Sequence, residues 1–294
     1  MIISVSRRCD IPRFRFDWFL ECLNRGFVDV TNPFNAAQVR RAPLRPAADG
    51  TGAAELIVFW TRDPRPILAC VEELESRSFR FYVMVTVTGY PAALEPNVPP
   101  AGAICAAMTE LAGKIGPRRV IWRYDPVFLS SVTGGDFHRV NFSALARRLK
   151  GSVQRVIISL YDEYTGARRR IDALEKQGLL SMPPGSIPQP NSEPAARRDS
   201  LHAVKSAGTL LADLAAEAAA AGMEMQSCAE PEEAGLAGIR HGACIDGELI
   251  RELWGIETPG KDKNQRPHCR CAPSVDIGSY GSCPAGCVYC YARR

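Results

Sequence analysis

The sequence predicts an α/β protein with a parallel sheet, folded as a TIM-like (β/α) barrel that is either complete or a six-stranded partial barrel. Six apolar segments of strand length alternate with segments of helical pattern, and such alternation is typical of parallel sheets with right-handed crossovers. Each predicted strand also runs into a polar cluster, as expected at the carboxyl edge of a barrel. A chain of 294 residues is long enough to form one large domain of this kind.

Strand and helix signals alternate through the first half of the chain. Asp17 can cap the first helix and Gly26 suits its end, whereas residues 31–54 are rich in Asn, Pro and Gly and are predicted to form a loop. Pro64 fits the first turn of a second helix. In chain order, the predicted elements are a strand at 2–6, a helix at 18–26, a strand at 55–60, a helix at 64–74, a strand at 79–88 and a helix at 103–115.

The same alternation continues in the second half. Residues 183–194 are rich in Pro and Ser and predict a linker, and the alanine-rich helix after it ends at Gly222. The predicted elements here are a strand at 119–123, a helix at 141–150, a strand at 155–160, a helix at 165–178, a helix at 195–221 and a strand at 223–227.

Polar residues at the strand ends predict a pocket, because the carboxyl ends of parallel strands meet at one edge of a sheet. Arg123 and Asp125 are favoured for it, since the sequence Trp-Arg-Tyr-Asp-Pro gives them an aromatic, turn-locked setting. Arg123, Asp125 and Glu230 are the candidate catalytic residues, and Arg8 and Arg123 are candidates for binding a cofactor. Arginines would suit a carboxylate or a phosphate. The alternative is that these residues form salt bridges that close the top of the barrel.

Three cysteines stand at the spacing C-x3-C-x2-C at positions 283, 287 and 290. Thiolates are the ligands that iron–sulfur clusters select, and three on one loop can hold three corners of a [4Fe-4S] cubane, leaving one iron open. A structural zinc site is the alternative. Zinc prefers four protein ligands, often in paired C-x2-C units, and this region has only one such pair, Cys287 and Cys290.

Seven of the eleven cysteines fall between positions 228 and 290. Cys228, Cys244, Cys269 and Cys271 are enough for a second cluster. Alternatively, one of them closes the first cluster and leaves no open iron. A disulfide between Cys269 and Cys271 is disfavoured, because so short a ring strains the bond. We therefore divide the chain into a barrel at 1–230 and a cysteine-rich iron–sulfur segment at 231–294, packed on the carboxyl face of the barrel.

The remaining cysteines and histidines are mostly predicted to have no ligand function. Helical Cys22, Cys70 and Cys105 are predicted to be small core residues. His138 and His202 are predicted to lie on the surface. The histidines nearest the late cysteines, 241 and 268, could be ligands, but a hydrogen bond to a neighbouring group is the favoured function.

The cysteine loop, Cys283 to Cys290 followed by Tyr-Ala-Arg, resembles the cluster loop of radical S-adenosylmethionine (SAM) enzymes of the spore photoproduct lyase type. The resemblance implies that the open iron binds SAM and that ferredoxin or flavodoxin donates an electron. It also implies a small-molecule or nucleic-acid substrate. In those enzymes the loop follows the first barrel strand, and a Gly-Gly-Glu segment follows the second. Here the loop stands late in the sequence, and Thr61-Arg62-Asp63-Pro64 follows the second strand.

Three further segments resemble a bacterial family catalogued as a domain of unknown function, which brings no established reaction. They are Ser6-Arg7-Arg8-x-Asp10-Ile11-Pro12, Ile121-Trp122-Arg123-Tyr124-Asp125-Pro126, and Lys261-Asp262-Lys263-Asn264-Gln265-Arg266 continuing through the late cysteines. The sequence departs from that family at Cys9, where the family is expected to carry Thr. We therefore predict no ligand function for Cys9.

Net charge, missing motifs and the lengths of apolar runs limit the functions that the sequence supports. The net charge of +4 permits a polyanionic partner without indicating one, and neither a G-x-x-x-x-G-K-[ST] loop nor a G-x-G-x-x-G after a strand is present. No apolar run reaches membrane-spanning length, and a reducing cytoplasmic location is expected.

Three hypotheses for the function remain. The first is a radical-SAM-like enzyme. The second is a non-SAM protein with one or two fully protein-ligated clusters for electron transfer or non-radical catalysis, and the third is a zinc-stabilised binding module.

Overall fold

The computed structural model describes residues 1–45, 54–183, 198–230 and 239–293, without the side chains of 198–207. The strands within these ranges are β1 (Ile2–Val5), β2 (Phe27–Asn32), β3 (Asn35–Pro43), β4 (Leu56–Thr61), β5 (Phe81–Thr86), β6 (Val120–Val127), β7 (Arg155–Leu160), β8 (Glu224–Ser227), β9 (Arg240–His241) and β10 (Val275–Asp276). The helices are α1 (Ile11–Phe14), α2 (Phe16–Arg25), α3 (Arg65–Ala69), α4 (Val71–Ser76), α5 (Ala101–Ile115), α6 (Gly135–Leu149), α7 (Thr165–Lys176), α8 (Arg198–Ala220) and α9 (Gly247–Trp254). None of the described helices is long and apolar enough to cross a membrane.

Eight of the ten described strands form one parallel sheet in the order β10-β1-β4-β5-β6-β7-β8-β9, and β2 and β3 pair separately. This confirms the predicted α/β class with a parallel sheet. The six predicted strands are the six in the middle, and they follow one another in chain order. The two edge strands, β9 and β10, are only two residues long and went unpredicted, because such short strands carry no readable periodicity.

Opposite faces of the sheet meet different parts of the chain. Phe59 and Phe81 face a core formed with the helices, which includes Phe19 of α2, and the ring centroids of Phe19 and Phe59 are 5.5 Å apart. Trp60 and Tyr82 face the opposite way and pack against residues from 243 to 272. Both faces are therefore buried, which explains why these strands read as continuous apolar runs rather than as alternating patterns.

A hairpin occupies part of the region predicted to be a loop, so the prediction for residues 31–54 was wrong in part. β3 pairs antiparallel with β2, with Asp29 opposite Arg41. The Arg41 side chain forms an ion pair with Asp29 at 2.8 Å and lies 3.9 Å above the ring of Phe27. The hairpin escaped prediction because the first seven residues of β3 are exposed and show no apolar alternation. Residues 46–53 of this region lie outside the described part.

The predicted helix at 141–150 begins earlier, at Gly135, and this extension buries His138 instead of exposing it. The prediction of a surface histidine was therefore wrong. The Tyr124 hydroxyl lies 2.8 Å from His138 Nδ1, and His138 Nε2 lies 3.2 Å from the carbonyl oxygen of Phe128. Burial lowers the pKa of His138 to about 4, so the ring is neutral, with the Nε2 hydrogen donated to Phe128.

The remaining predictions concern the two ends of α2, the linker and His202. Gly26 ends α2 with a φ of +77°, as predicted, but Arg15 rather than Asp17 precedes the helix. Asp17 lies in the first turn, where a carboxylate interacts favourably with the helix dipole. The linker predicted at 183–194 lies, apart from residue 183, outside the described residues, and so does the side chain of His202.

Neutral His138 predicts a pH-dependent stability. The unfolded chain takes up a proton near pH 6.5 and the folded chain only near pH 4, so the contribution of His138 to stability is lost as the pH falls between these values. Relative to His138→Gln, the wild-type free energy of unfolding should fall by about 3 kcal/mol from pH 7.5 to pH 4. Urea unfolding at several pH values measures this. Parallel pH profiles for both proteins would contradict a buried neutral histidine.

Candidate metal-binding sites

The loop that carries Cys283, Cys287 and Cys290 packs over the carboxyl ends of the central strands. The Val288 amide donates to the carbonyl oxygen of Leu94 at 3.0 Å. Tyr289 is buried, and its ring lies 5.9 Å from that of Phe128, in a stacked arrangement. Cys287 is buried, whereas Cys283 and Cys290 are half-buried. The loop is thus part of the packed structure.

One guanidinium holds the backbone of this loop. Arg170, on α7, donates from Nε to the carbonyl oxygen of Val288 at 2.9 Å, from Nη2 to that of Cys290 at 2.5 Å and from Nη1 to that of Arg293 at 3.1 Å. Hydrogen bonds from a charged donor are stronger than neutral ones. Arg170 therefore fixes the backbone on which Cys287 and Cys290 stand.

A buried polar network supports the loop from the sheet side. Arg62, which follows β4, donates from Nη1 to Glu95 Oε1 at 2.8 Å and from Nη2 to the Tyr289 hydroxyl at 2.5 Å. The Tyr289 hydroxyl donates to the same Glu95 oxygen, and Thr88 Oγ1 also donates to it at 2.5 Å. Burial raises the pKa of Cys287 to about 11, and the positive charge of Arg62 opposes this rise. Arg62 thus places a positive charge beside the cysteines.

Cys9 lies against Cys283, a contact that the sequence analysis did not anticipate. The Cys283 sulfur interacts with the Cys9 thiol and with the backbone amides of Asp10 and Ala285. These interactions lower the pKa of Cys283 to about 6, and the interaction with Cys283 raises the pKa of Cys9. Cys9 follows β1, so the strand-end rule that selected Arg8 would also have selected it. The Thr expected at this position in the resembling family is what argued against a ligand function for Cys9.

The other four late cysteines form a second group, on the sheet face that carries Trp60. Cys244 Sγ lies 3.4 Å from the Sγ of Cys228, which directly follows β8. The Cys271 sulfur interacts with the thiols of both Cys244 and Cys269. Cys244, Cys269 and Cys271 pack in the same apolar cluster as Trp60, whereas Cys287 packs in the cluster around Phe128. The chain therefore carries two distinct sets of cysteines.

Arg123 and Asp125, predicted together, are adjacent and form an ion pair, and Ser159 Oγ donates to Asp125. The Arg123 guanidinium lies 4.9 Å from the centre of the Trp60 ring, and its buried Nε has no hydrogen-bond partner in the described structure. This pair therefore stands near the second set of cysteines.

Glu230 and Arg8 have partners of their own. Glu230 Oε1 accepts the Leu160 amide at 2.8 Å, and burial raises its pKa to about 7. The Arg8 guanidinium lies 5.1 Å from the ring centre of Tyr280 and donates to the Gly278 carbonyl oxygen at 3.4 Å. All four residues predicted from the strand ends therefore make polar contacts. Of these four, Arg123 and Asp125 are the two that the structure brings together.

The donor chemistry of both sets fits a thiophilic metal, since thiolates are the ligands of zinc and of iron–sulfur clusters. As the described side chains stand, however, no three or more His, Cys, Asp or Glu residues are arranged to hold a metal ion.

A separate cleft of about 530 Å³ lies beside the second set of cysteines. It is lined by Ala243 and Ala272, the neighbours of Cys244 and Cys271, and by charged residues that include Arg240, Lys261 and Arg270.

Comparison with known proteins identifies a family. A model described as "Domain of unknown function (DUF1848)" matches residues 2–292. No curated protein matches the sequence. Three solved chains match, one of them from a structure described as "Inhibition of the pneumococcal virulence factor StrH and molecular insights into N-glycan recognition and hydrolysis". The two chains share 9% identity with a TM-score of 0.28, over 82% of this chain and 57% of that one. A likeness this weak carries no inference about fold or function.

Arg170 provides a test of how the cysteine loop is held. In Arg170→Ala, the Val288 and Cys290 amides should exchange hydrogen about 30-fold faster, corresponding to about 2 kcal/mol of lost charged hydrogen bonding. Native-state hydrogen exchange with mass spectrometry measures this. Arg169→Ala, an exposed neighbour on the same helix, is the matched control. If the two variants exchange alike, Arg170 does not hold the loop.

Proposed function

We propose that this chain, which belongs to the DUF1848 family, is an iron–sulfur enzyme of the radical SAM type. Cys283, Cys287 and Cys290 would bind three irons of a [4Fe-4S] cluster and leave the fourth open. The supporting observation is that Cys228 and the three cysteines grouped with it contact one another on the sheet face. These four are therefore engaged away from the loop, which keeps three ligands of its own.

The surroundings of the loop suit a bound cluster. Arg170 fixes the backbone between the cysteines, and Arg62 places a positive charge beside Cys287 and Cys290, which would offset part of the negative charge of a thiolate-ligated cluster. Backbone amides donate to the Cys283 sulfur, and hydrogen bonds to sulfur are one means by which proteins tune cluster potentials. SAM bound to the open iron would supply, on reductive cleavage, a carbon-centred radical.

Residues at the strand ends would bind SAM or the substrate. Arg123 and Asp125 would orient SAM or substrate as candidate catalytic residues, with Glu230 able to hold a proton near neutral pH because its pKa is about 7. Arg8 would contribute a positive charge to cofactor binding. The substrate, a small molecule or a nucleic acid, follows only from the resemblance of the loop, as does an electron donor such as ferredoxin or flavodoxin.

We also infer that the sheet curves into a partial (β/α) barrel whose six central strands lie within 1–230, with residues 231–294 as a cysteine-rich segment that covers it and adds β9 and β10 to its edges. Helices cover one face of the sheet, and residues from 243 to 272 fill the other. A curved sheet would place the strand ends around a common pocket, which the catalytic part of the proposal requires.

A second candidate function arises from Cys9. Its contact with Cys283 makes it a candidate fourth ligand, which would close the cluster and make the protein an electron carrier or a non-radical catalyst. Thiolates on different irons of a cubane stand farther apart than hydrogen-bonded sulfurs. We therefore favour Cys9 as a protonated donor to the Cys283 thiolate, which keeps the fourth iron open.

Substitution of Cys287 tests the cluster itself. Cys287→Ala should lose about four irons and the matching acid-labile sulfide per chain while keeping the far-ultraviolet circular dichroism of the wild type. Iron and sulfide analysis after anaerobic purification measures the loss. Cys105→Ala, which changes a buried thiol on α5, should keep both. Full iron and sulfide in Cys287→Ala would remove the cluster assignment.

Addition of SAM separates the two candidate functions. With an open iron, SAM should change the EPR spectrum of the reduced wild-type cluster, and Cys9→Ala should respond in the same way. With Cys9 as the fourth ligand, SAM should leave the wild-type spectrum unchanged. An unchanged spectrum in both proteins would overturn the SAM proposal while leaving the cluster in place.

A further inference from the structure

Four thiols that the proposed reaction does not use lie against the sheet. Cys244 Sγ is 3.4 Å from Cys228 Sγ, and the Cys271 sulfur interacts with the thiols of Cys244 and Cys269. Cys228 also interacts electrostatically with Cys269 and with Cys271. These contacts join the four sulfurs into one group.

We propose that Cys228, Cys244, Cys269 and Cys271 bind one tetrahedrally coordinated thiophilic ion, zinc or iron, rather than a second cubane. A metal–sulfur bond of about 2.3 Å in a tetrahedral site places neighbouring sulfurs about 3.8 Å apart. The 3.4 Å between Cys244 and Cys228 is close to this spacing. In a cubane every thiolate binds a different iron, which separates the sulfurs well beyond contact.

The outer thiols would have to move toward the inner pair on binding, because the described side chains do not yet surround one point. The contacts run in the order Cys228, Cys244, Cys271, Cys269. Rotation of the two end side chains, Cys228 and Cys269, is the change that would convert this row into a tetrahedron.

The surroundings suit such a site. Four thiolates around a divalent ion carry a net charge of −2, and two guanidiniums stand nearby, since Arg7 acts electrostatically on Cys271 and Arg123 on Cys228 and Cys244. Both guanidiniums lie over the Trp60 ring, at 5.7 and 4.9 Å from its centre. The Ile245 amide donates to Cys271 Sγ at 3.4 Å, a bond that favours a thiolate.

The position of the ion gives it a structural function. Cys228 belongs to the end of β8, whereas the other three cysteines belong to the segment that covers the opposite sheet face. That segment is otherwise held by bonds such as the one from the Tyr82 hydroxyl to the Cys244 carbonyl oxygen at 2.7 Å. A four-thiolate ion would clamp the segment to the sheet, and its binding free energy would add to the stability of the fold.

The full-length triple variant Cys283→Ala/Cys287→Ala/Cys290→Ala isolates this site, because it removes the loop ligands. After anaerobic purification it should retain about one zinc or iron per chain without acid-labile sulfide, and metal analysis identifies which ion. About four irons with matching sulfide, or no bound metal, would overturn the proposal. Neither result depends on whether the loop binds a cluster.

Cobalt substitution counts the thiolates. In the triple variant, Co²⁺ should give the absorption of a tetrahedral thiolate site, and an octahedral spectrum would overturn the proposal. Adding Cys228→Ser should lower the sulfur-to-cobalt charge-transfer intensity by about a quarter, because one of four thiolates is lost. Adding Cys105→Ser instead should leave it unchanged. Equal intensities in these two variants would exclude Cys228 as a ligand.

Discussion

The need to cover both faces of the parallel sheet governs this structure. The strands β1, β4, β5, β6, β7 and β8 follow one another in chain order across the sheet, and right-handed crossovers in one direction place every connecting helix on the same side. The opposite face, with Trp60 and Tyr82, also carries large apolar side chains and must be buried by something else. Residues from 243 to 272 do this. The segment that carries three of the seven late cysteines is therefore also the segment that completes the core.

This arrangement explains why the two sets of cysteines lie apart. The set that includes Cys244 is held on the sheet face by the packing that buries Trp60. The loop with Cys287 lies over the strand ends, where it packs against the apolar cluster around Phe128 and also makes polar contacts. Arg170 on α7 and Arg62 at the end of β4 supply the charged hydrogen bonds among them. Apolar packing therefore contributes to both sets, and charged hydrogen bonds are added at the loop. The same chain can therefore present two thiol sites with different surroundings and different geometry.

The sequence was most informative where burial imposes a pattern. All six central strands and the helix end at Gly26 were predictable, because continuous apolar runs and a positive φ leave clear signals. The exposed strand β3 left none, since its pairing rests on backbone hydrogen bonds and on cross-strand contacts such as Arg41 with Asp29. His138 was misplaced because its burial depends on an early start of α6 and on Tyr124 and Phe128, which are close only after folding. For the candidate sites, spacing identified the cysteines and suggested their two groups, but the proximity of Cys244 to Cys228 and the contact of Cys9 with Cys283 arise only from the tertiary structure.

The edge strands have a consequence for how the chain folds during synthesis. β1 pairs with β4 on one side and with β10 on the other, and Ile3 faces Val275 across the second pairing. Until residue 275 leaves the ribosome, β1 presents an unpaired strand edge, and contacts of such long sequence separation form slowly. Nascent chains that lack this region should therefore attract chaperones and be prone to aggregate.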